Sequence, residues 1–249
     1  AMKVLFSNLG YATGIDGSLG HHARKIFRHA FQTMAMQRRV LSQFKAIIEQ
    51  YDPDICCLIE LDRGSAHSSF YNQIEALCSP TYPVFDIADK YGPESRLSKM
   101  PFHHGKSNGF LAKSPHVFAH LYFENGTKRL IYQITLARDL TLFFAHFSLD
   151  RKVRAKQFLE MRAMAERMAG RVIILGDFNT LTGLDELAPL MAGDGLHLLN
   201  RPTVPTFRFH RWQHTLDLCL CSPSLVSEIK LTIIDQNFSD HDALLLELG

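Results

Sequence analysis

Ile173-Ile174-Leu175-Gly176-Asp177-Phe178-Asn179 is the stretch on which the reading of this chain turns. A β-branched apolar run reaches a Gly, and an Asp and an Asn follow two residues apart. The run reads as a buried strand that stops at a polar edge. In extended chain, residues i and i+2 point the same way. The pattern therefore predicts that Asp177 and Asn179 aim a carboxylate and an amide together beyond the strand end. Packing gives a buried strand no reason to end in Gly-Asp-x-Asn, although turn chemistry could use the same residues. The other strand ends of the chain decide between the two.

Polar residues recur where apolar runs stop. Asn8 follows Val4-Leu5-Phe6, Glu60 follows Ile55-Cys56-Cys57-Leu58-Ile59, and His146 follows Leu142-Phe143-Phe144-Ala145. Asp217 interrupts a strand predicted over 215–221, and Asp240 and His241 precede Leu244-Leu245-Leu246. Taken singly, Asn8 could cap a turn, Glu60 could be solvated and His146 could be a satisfied core histidine. Taken together they are carboxylates, amides and imidazoles gathered on strand termini. Hard oxygen ligands of this kind suit Mg²⁺ or Mn²⁺, which bind few protein carboxylates and keep waters for a phosphate. Imidazoles add proton transfer near neutral pH. The set is what metal-assisted phosphoester hydrolysis requires.

Composition is ordinary for a globular chain of 249 residues, with 46% hydrophobic and 21% charged residues. That length is compatible with one domain over 1–249. No apolar run reaches the roughly 18 residues of a membrane-spanning helix, and the apolar stretch at the start is too short for a signal peptide. A net charge of +2 gives no global argument for nucleic acid. The five cysteines are an odd number, and Cys56, Cys57, Cys219 and Cys221 lie in strand-like runs, so all five are expected to be reduced. A reducing compartment follows, and the expected location is cytoplasmic.

Short β-rich segments are predicted at 3–7, 54–59, 109–113, 117–122, 130–135, 141–147, 172–175, 215–221, 230–234 and 243–248. Helices are predicted at 31–50, 66–78 and 150–168. In the last, Val153, Phe158, Met161, Met164 and Met168 stand near helical spacing and read as core packing. Strands with interspersed helices suggest two mixed sheets packed together with helices outside. Irregular stretches at 10–22, 90–106 and 201–213 carry Gly, Pro, His and basic residues and are candidate rim loops.

At this point the chain resembles the endonuclease/exonuclease/phosphatase superfamily, the DNase I-like family that includes apurinic endonucleases, inositol polyphosphate 5-phosphatases and neutral sphingomyelinases. The segments that carry the resemblance span the chain in order: Val4-Leu5-Phe6-Ser7-Asn8, Asp54 through Glu60, Ser107-Asn108-Gly109-Phe110-Leu111, Ala145-His146-Phe147, Gly176-Asp177-Phe178-Asn179, Thr206-Phe207 with Leu216-Asp217-Leu218, and Ser239-Asp240-His241. The resemblance implies a four-layer α/β/β/α sandwich of two mixed β-sheets. It implies that Glu60, with Asn8 and Asp240, holds a divalent ion, Mg²⁺ or Mn²⁺. Asp217 would orient His241, Asp177 would position or deprotonate the nucleophile, and Asn179 would bind phosphoryl oxygens. His146 would stabilise charge or serve the leaving group. The base role is open between Asp177 and His241. Ile59 stands where many members have Gln, and Phe147 where Leu is commoner; both changes leave the chemistry intact. With the set complete, a catalytically silent binding module is disfavoured.

The rim chooses the substrate. His21, His22, Arg24, Lys25, Arg28 and His29 alternate with Phe27 and Phe31, and His103-His104-Gly105-Lys106 and Arg208-Phe209-His210-Arg211-Trp212 add two more basic, aromatic patches. Such patches suit an anionic head group, a membrane surface or a nucleic-acid backbone. Asn108, Arg24 and Arg211 are the candidate substrate contacts. The compact, near-neutral chain favours a small or lipid-type head-group phosphoester, with a DNA endonuclease or exonuclease as the alternative. The chain is expected to be a monomer.

Overall fold

The computed structural model describes residues 1–14, 33–100, 103–193 and 195–249. Two six-stranded sheets dominate it. The first has the order β13 (Ile229–Ile234), β14 (Ala243–Leu248), β1 (Met2–Asn8), β2 (Ile55–Asp62), β4 (Lys106–Ala112), β3 (Val84–Asp89). The second has the order β5 (Val117–Tyr122), β6 (Leu130–Ala137), β7 (Leu140–His146), β8 (Arg171–Asp177), β12 (Asp217–Cys221), β9 (His197–Leu198). In each, one central pair is parallel, β1 with β2 and β7 with β8, and the other named pairs are antiparallel. A separate hairpin joins β10 (Phe207–Phe209) to β11 (Trp212–His214).

The central strands are apolar on both faces, so each sheet must be covered twice. Val4, Phe6, Cys57 and Phe110 of the first sheet meet Tyr132, Phe144, Leu175 and Cys219 of the second in one buried core. Tyr132 and Phe144 stack there with centroids 4.6 Å apart. The alternate residues Leu5, Cys56, Leu58 and Leu245 face helix α1 (Met34–Tyr51) through Val40, Leu41, Phe44 and Ile48. Ile131, Phe143, Ile174 and Leu220 face helix α3 (Arg151–Glu166) through Phe158 and Met161. Period-two alternation on strands buried on both faces thus generates the four layers. Each buried Phe stabilises the fold by about 1.5–3 kcal/mol through removal from water.

The helix expected at 66–78 is broken into a 3-10 turn, Ala66–Ser68, and a short helix α2, Gln73–Leu77. The cause is Asp62, whose carboxylate accepts from the Gly64 and Ser65 amides and from the Ser65 and Ser68 hydroxyls. Local side-chain bonding of this kind competes with a helix. Ser69 and Phe70 then take left-handed φ values of 55° and 59°. Strand β3 escaped the sequence reading because aspartates interrupt its apolar residues. Met161 and Phe158 are buried, as the Met-rich stripe predicts, and Met164 and Met168 pack against the same core.

All five cysteines are free; Cys56, Cys57, Cys219 and Cys221 are buried and Cys78 is half-buried. Burial pushes the thiols of Cys56, Cys57 and Cys219 up, and Cys221 to about 11. A thiol reagent is therefore expected to modify Cys78 first and the other four only on unfolding. Mass spectrometry before and after guanidinium would count them. Rapid labelling of two or more thiols in the native protein would contradict this packing.

Candidate functional site

The second sheet supplies one row of the site by register alone. His146 pairs with Asp177 across β7 and β8, and Asp177 pairs with Asp217 across β8 and β12. Each lies two residues from an inter-sheet core residue, Phe144, Leu175 and Cys219. All three side chains therefore continue the inner face of the sheet to its edge, where the apolar filling stops. Gly176 makes the close approach feasible: a Cβ there would sit 2.4 Å from the Ala145 carbonyl oxygen.

The first sheet brings Asn8 by the same rule, since Phe6 faces the core. Asn8 Nδ2 donates to Asp177 Oδ2 at 3.4 Å, and its Oδ1 accepts from the Gly10 amide at 3.0 Å. Glu60 is different. Cys56 and Leu58 face α1, so alternation would turn Glu60 toward the helix layer. A β-bulge between Leu58 and Leu61 and a left-handed φ of 56° at Glu60 redirect it. Asn108 Oδ1 holds that bulge by accepting the Glu60 amide at 3.2 Å. Asn108, expected at the substrate, is 2% exposed and commits its side-chain oxygen to positioning Glu60.

His241 closes the site. Its Nδ1 lies 2.7 Å from Asp217 Oδ2, both residues buried. Thr206 Oγ1 accepts from the Leu216 and Asp217 amides and fixes the start of β12. Ser239 Oγ donates to the Asn8 carbonyl at 3.1 Å and accepts from the His241 amide at 3.2 Å, tying the chain around His241 to the end of β1. Phe207 packs on the His241 ring at 4.8 Å. Asp240 is half-buried, and its carbonyl accepts the Arg208 amide. Asn179 does not continue the strand as the extended reading predicts. Its φ is 51°, its amide donates to Asp177 Oδ1 at 3.1 Å, and its Nδ2 donates to the Phe147 carbonyl at 2.9 Å. The two residues come together through an Asx-type turn instead.

The charges divide the site into distinct states. Burial opposes the His241 imidazolium, but the carboxylates of Asp217, Asp177 and Asp240 outweigh it and raise its pKa to about 10. Burial and the Lys128 ammonium push His146 down to about 4, so its ring is neutral at pH 7. Burial would raise Asp177, yet His146, His241 and Lys128 hold its carboxyl well below the usual range. Glu60 is also lowered, because His146, Lys90 and Lys128 outweigh its burial. His146 lies 3.3 Å from Asp177 Oδ2 and 3.7 Å from Glu60 Oε1.

Four residues here carry no motif signal. The Lys128 ammonium donates to His146 Nε2, and the Lys90 ammonium donates to the Tyr11 hydroxyl. Arg154 is 1% exposed, pairs with Glu186, and donates to the carbonyls of Ser148 and Leu149, which fixes the loop after His146. Lys90 and Tyr11 lie on stretches whose composition marked them as rim loops; Lys128 and Arg154 could be found only from the fold. Arg24, Lys25 and Arg28 lie outside the described residues. Arg211 is exposed at the turn of the β10–β11 hairpin, beside Trp212, which is 66% exposed.

The donor set fits a hard divalent cation. Asp177, Asp217 and His241 offer ligand atoms within 4.8 Å of one another, and Asp217 Oδ1 is buried without a hydrogen-bond partner. Because His241 Nδ1 is already bonded to Asp217, that ring nitrogen is the least available of these atoms to an ion.

The endonuclease/exonuclease/phosphatase family model matches residues 37–241. The chain belongs to that family. Its chemistry is phosphoester hydrolysis, generally dependent on a divalent metal. Among solved structures it resembles the endonuclease domain of TRAS1, a telomere-specific non-LTR retrotransposon, at 18% identity and a TM-score of 0.61, covering 99% of this chain and 97% of that one. It resembles a truncated TDP2 from Caenorhabditis elegans at 17% identity and a TM-score of 0.61, covering 98% and 96%. It also resembles a mannosyl-6-phosphatase of Bacteroides thetaiotaomicron at 14% identity and a TM-score of 0.60, covering 100% of both chains. At these identities the likeness is one of fold, and it confirms the DNase I-like sandwich of two mixed sheets. No curated protein matches at the sequence level. Among the described residues, no helix is long and apolar enough to cross a membrane.

Proposed function

We propose that this chain is a divalent-metal-dependent hydrolase of a small or head-group-type phosphoester. The observation that carries the reading is the row His146, Asp177 and Asp217 in register, closed by the 2.7 Å His241–Asp217 contact. Glu60, Asn8 and Asp240 would hold Mg²⁺ or Mn²⁺, which when bound polarises a phosphoryl oxygen and neutralises its charge.

The remaining roles follow from the protein's own groups. Asp177 is ionised and is the better base for the attacking water, because His241 already carries its proton at neutral pH. The imidazolium of His241, oriented by Asp217, donates to a phosphoryl oxygen. Asn179 spends one N–H on the Phe147 carbonyl and has a second for the phosphoryl group. His146, neutral and bonded to Lys128, would serve the leaving oxygen or stabilise charge on it. A panel of inositol phosphates, phospholipids, sugar phosphates, plasmid DNA and abasic duplex, with Mg²⁺ and with EDTA, tests the reading. Cleavage of none of them in Mg²⁺ or Mn²⁺ would refute it.

The β10–β11 hairpin supports the nuclease alternative, since exposed Trp212 and Arg211 at the rim could stack on a base and meet a phosphate. Salt separates the two. A nuclease that neutralises several phosphates loses roughly 10³–10⁵ in affinity on going from about 50 to about 200 mM salt. Turnover of a head-group ester is expected to fall only several-fold over that range. A steep fall in KM-limited cleavage of plasmid DNA, abolished by Arg211→Ala, would favour the nuclease.

A further inference from the structure

Three lysines converge beside the catalytic row: Lys106 from the basic patch at 103–106, and Lys90 and Lys128 from outside the family motifs. The backbone of Lys90 is bonded to Lys106 and to the two residues that follow Lys128. The Lys90 amide donates to the Lys106 carbonyl at 3.2 Å, and the Lys90 carbonyl accepts from the Arg129 amide at 2.8 Å and the Leu130 amide at 3.2 Å. Lys90 thus bridges the end of β3, the start of β4 and the start of β6, and so joins the two sheets at the site edge. The side chains follow. Lys90 is 5% exposed, with its ammonium 4.9 Å from the Tyr11 ring centroid and 5.4 Å from that of Tyr91. The Lys106 ammonium lies 5.2 Å from the same Tyr11 ring. The Lys128 ammonium reaches His146, within the catalytic row.

Tyr11 is held for this contact at a cost. It and Ala12 both have φ of 55°, a left-handed conformation that a bulky side chain rarely adopts. Strain of that kind, about 1–3 kcal/mol, persists where the surroundings enforce it and clusters at functional sites. Here it sets a phenol between two ammonium groups. Among the described residues, none of the three lysines forms an ion pair with a carboxylate; their polar partners are a phenol and a neutral imidazole. Burial lowers the Lys90 ammonium to about 7 and lowers that of Lys128 too, and Glu60, Asp89 and Asp177 offset it only in part, so an added anion would favour the charged forms. The arrangement is therefore built for an anion that arrives with the substrate.

The charge and shape of that anion can be specified. A phosphodiester carries one negative charge and two non-bridging oxygens. A phosphomonoester carries between about 1.5 and 2 at neutral pH and presents three terminal oxygens. We propose that Lys90, Lys106 and Lys128, with Tyr11, form a wall that recognises a dianionic terminal phosphate, so that the ester cleaved is a phosphomonoester. The proposal rests on the phosphoesterase reading and narrows it. In the reaction, a water oxygen bonds to phosphorus, the bond from phosphorus to the ester oxygen breaks, and the departing alcohol takes up a proton, leaving inorganic phosphate and the free alcohol.

Binding and turnover test it separately. In Mg²⁺ at pH 7.5, calorimetry is expected to show inorganic phosphate binding at least about tenfold more tightly than dimethyl phosphate. Lys106→Met and Lys128→Met should each erase most of that preference, and Lys128→Arg should retain it. Equal binding of the two anions by the wild-type chain would overturn the proposal whether or not the variants fold, and so would a preference unchanged in both Met variants. In the turnover arm, p-nitrophenyl phosphate is expected to exceed bis(p-nitrophenyl) phosphate in kcat/KM, and a diester preference would also overturn it. A phosphate preference in binding with neither ester cleaved would uphold the anion wall and count against the hydrolase reading instead.

Discussion

Asp217→Asn is expected to lower kcat by about 10²–10⁴ while the fold and KM stay close to wild type. The carboxylate is fully buried and lies 2.7 Å from His241 Nδ1. Asparagine keeps the shape and removes the charge that holds the imidazole protonated and in orientation. The pH profile gives the sign. With Asp217 present, His241 is raised to about 10, so its protonated form persists through neutral pH and is lost only as pH rises toward that value. Removing the carboxylate removes the principal raising influence, and burial then drives the pKa down. The alkaline limb of kcat should therefore move to lower pH, and what activity remains should be greater on the acid side. His241→Ala is expected to cost as much, and the double variant little more than either alone, because the two residues act as a unit. Wild-type kcat in both single variants, on a substrate the protein turns over, would rule the pair out of the chemistry.

Glu60→Gln is the second large effect. The exchange keeps the size and the bulge, since the bulge is held through the backbone amide on Asn108 Oδ1. It removes an anionic ligand from a site that has few of them, and divalent affinity depends on ligand charge. The Mg²⁺ concentration for half-maximal activity should rise at least about tenfold, with the melting temperature in EDTA unchanged. EDTA should abolish activity in the wild-type chain, and Mg²⁺ or Mn²⁺ should restore it. Full activity of Glu60→Gln in EDTA would refute a metal mechanism. Asn108→Ala offers a companion measurement: it spares the carboxylate but frees the bulge, and so should raise the Mg²⁺ requirement by a smaller factor.

These expectations differ in where they were legible. The parity of Val4-Leu5-Phe6-Ser7-Asn8, of Phe144 with His146, and of Leu175 with Asp177 can be counted along the chain. Alternation on a strand is a local property, and it carries the inner-face residues straight to the edge. The helix from 151 to 166 was legible for the same reason, through Phe158 and Met161 on one face. The broken segment between Ser65 and Asn72 was not. Its fate depends on Asp62, a residue upstream whose carboxylate captures the amides and hydroxyls that a helix would have needed.

The sequence by itself determined the order of the strands' apolar runs, the chemical identity of the row Asn8, His146, Asp177, Asp217 and His241, and the family. Local periodicity and motif order need no knowledge of long-range contacts. Only the tertiary structure decided which way Glu60 faces, because alternation alone sends it toward α1 and a bulge held by Asn108 returns it to the site. It alone turned Asn179 out of the strand, by giving its side chain the Phe147 carbonyl. And it alone assembled Lys90, Lys106 and Lys128, which stand on three different strand ends and meet because the loops of both sheets close on one edge. Backbone bonds between residues far apart in the chain leave no periodic trace, and so the cationic half of the site is a property of the fold.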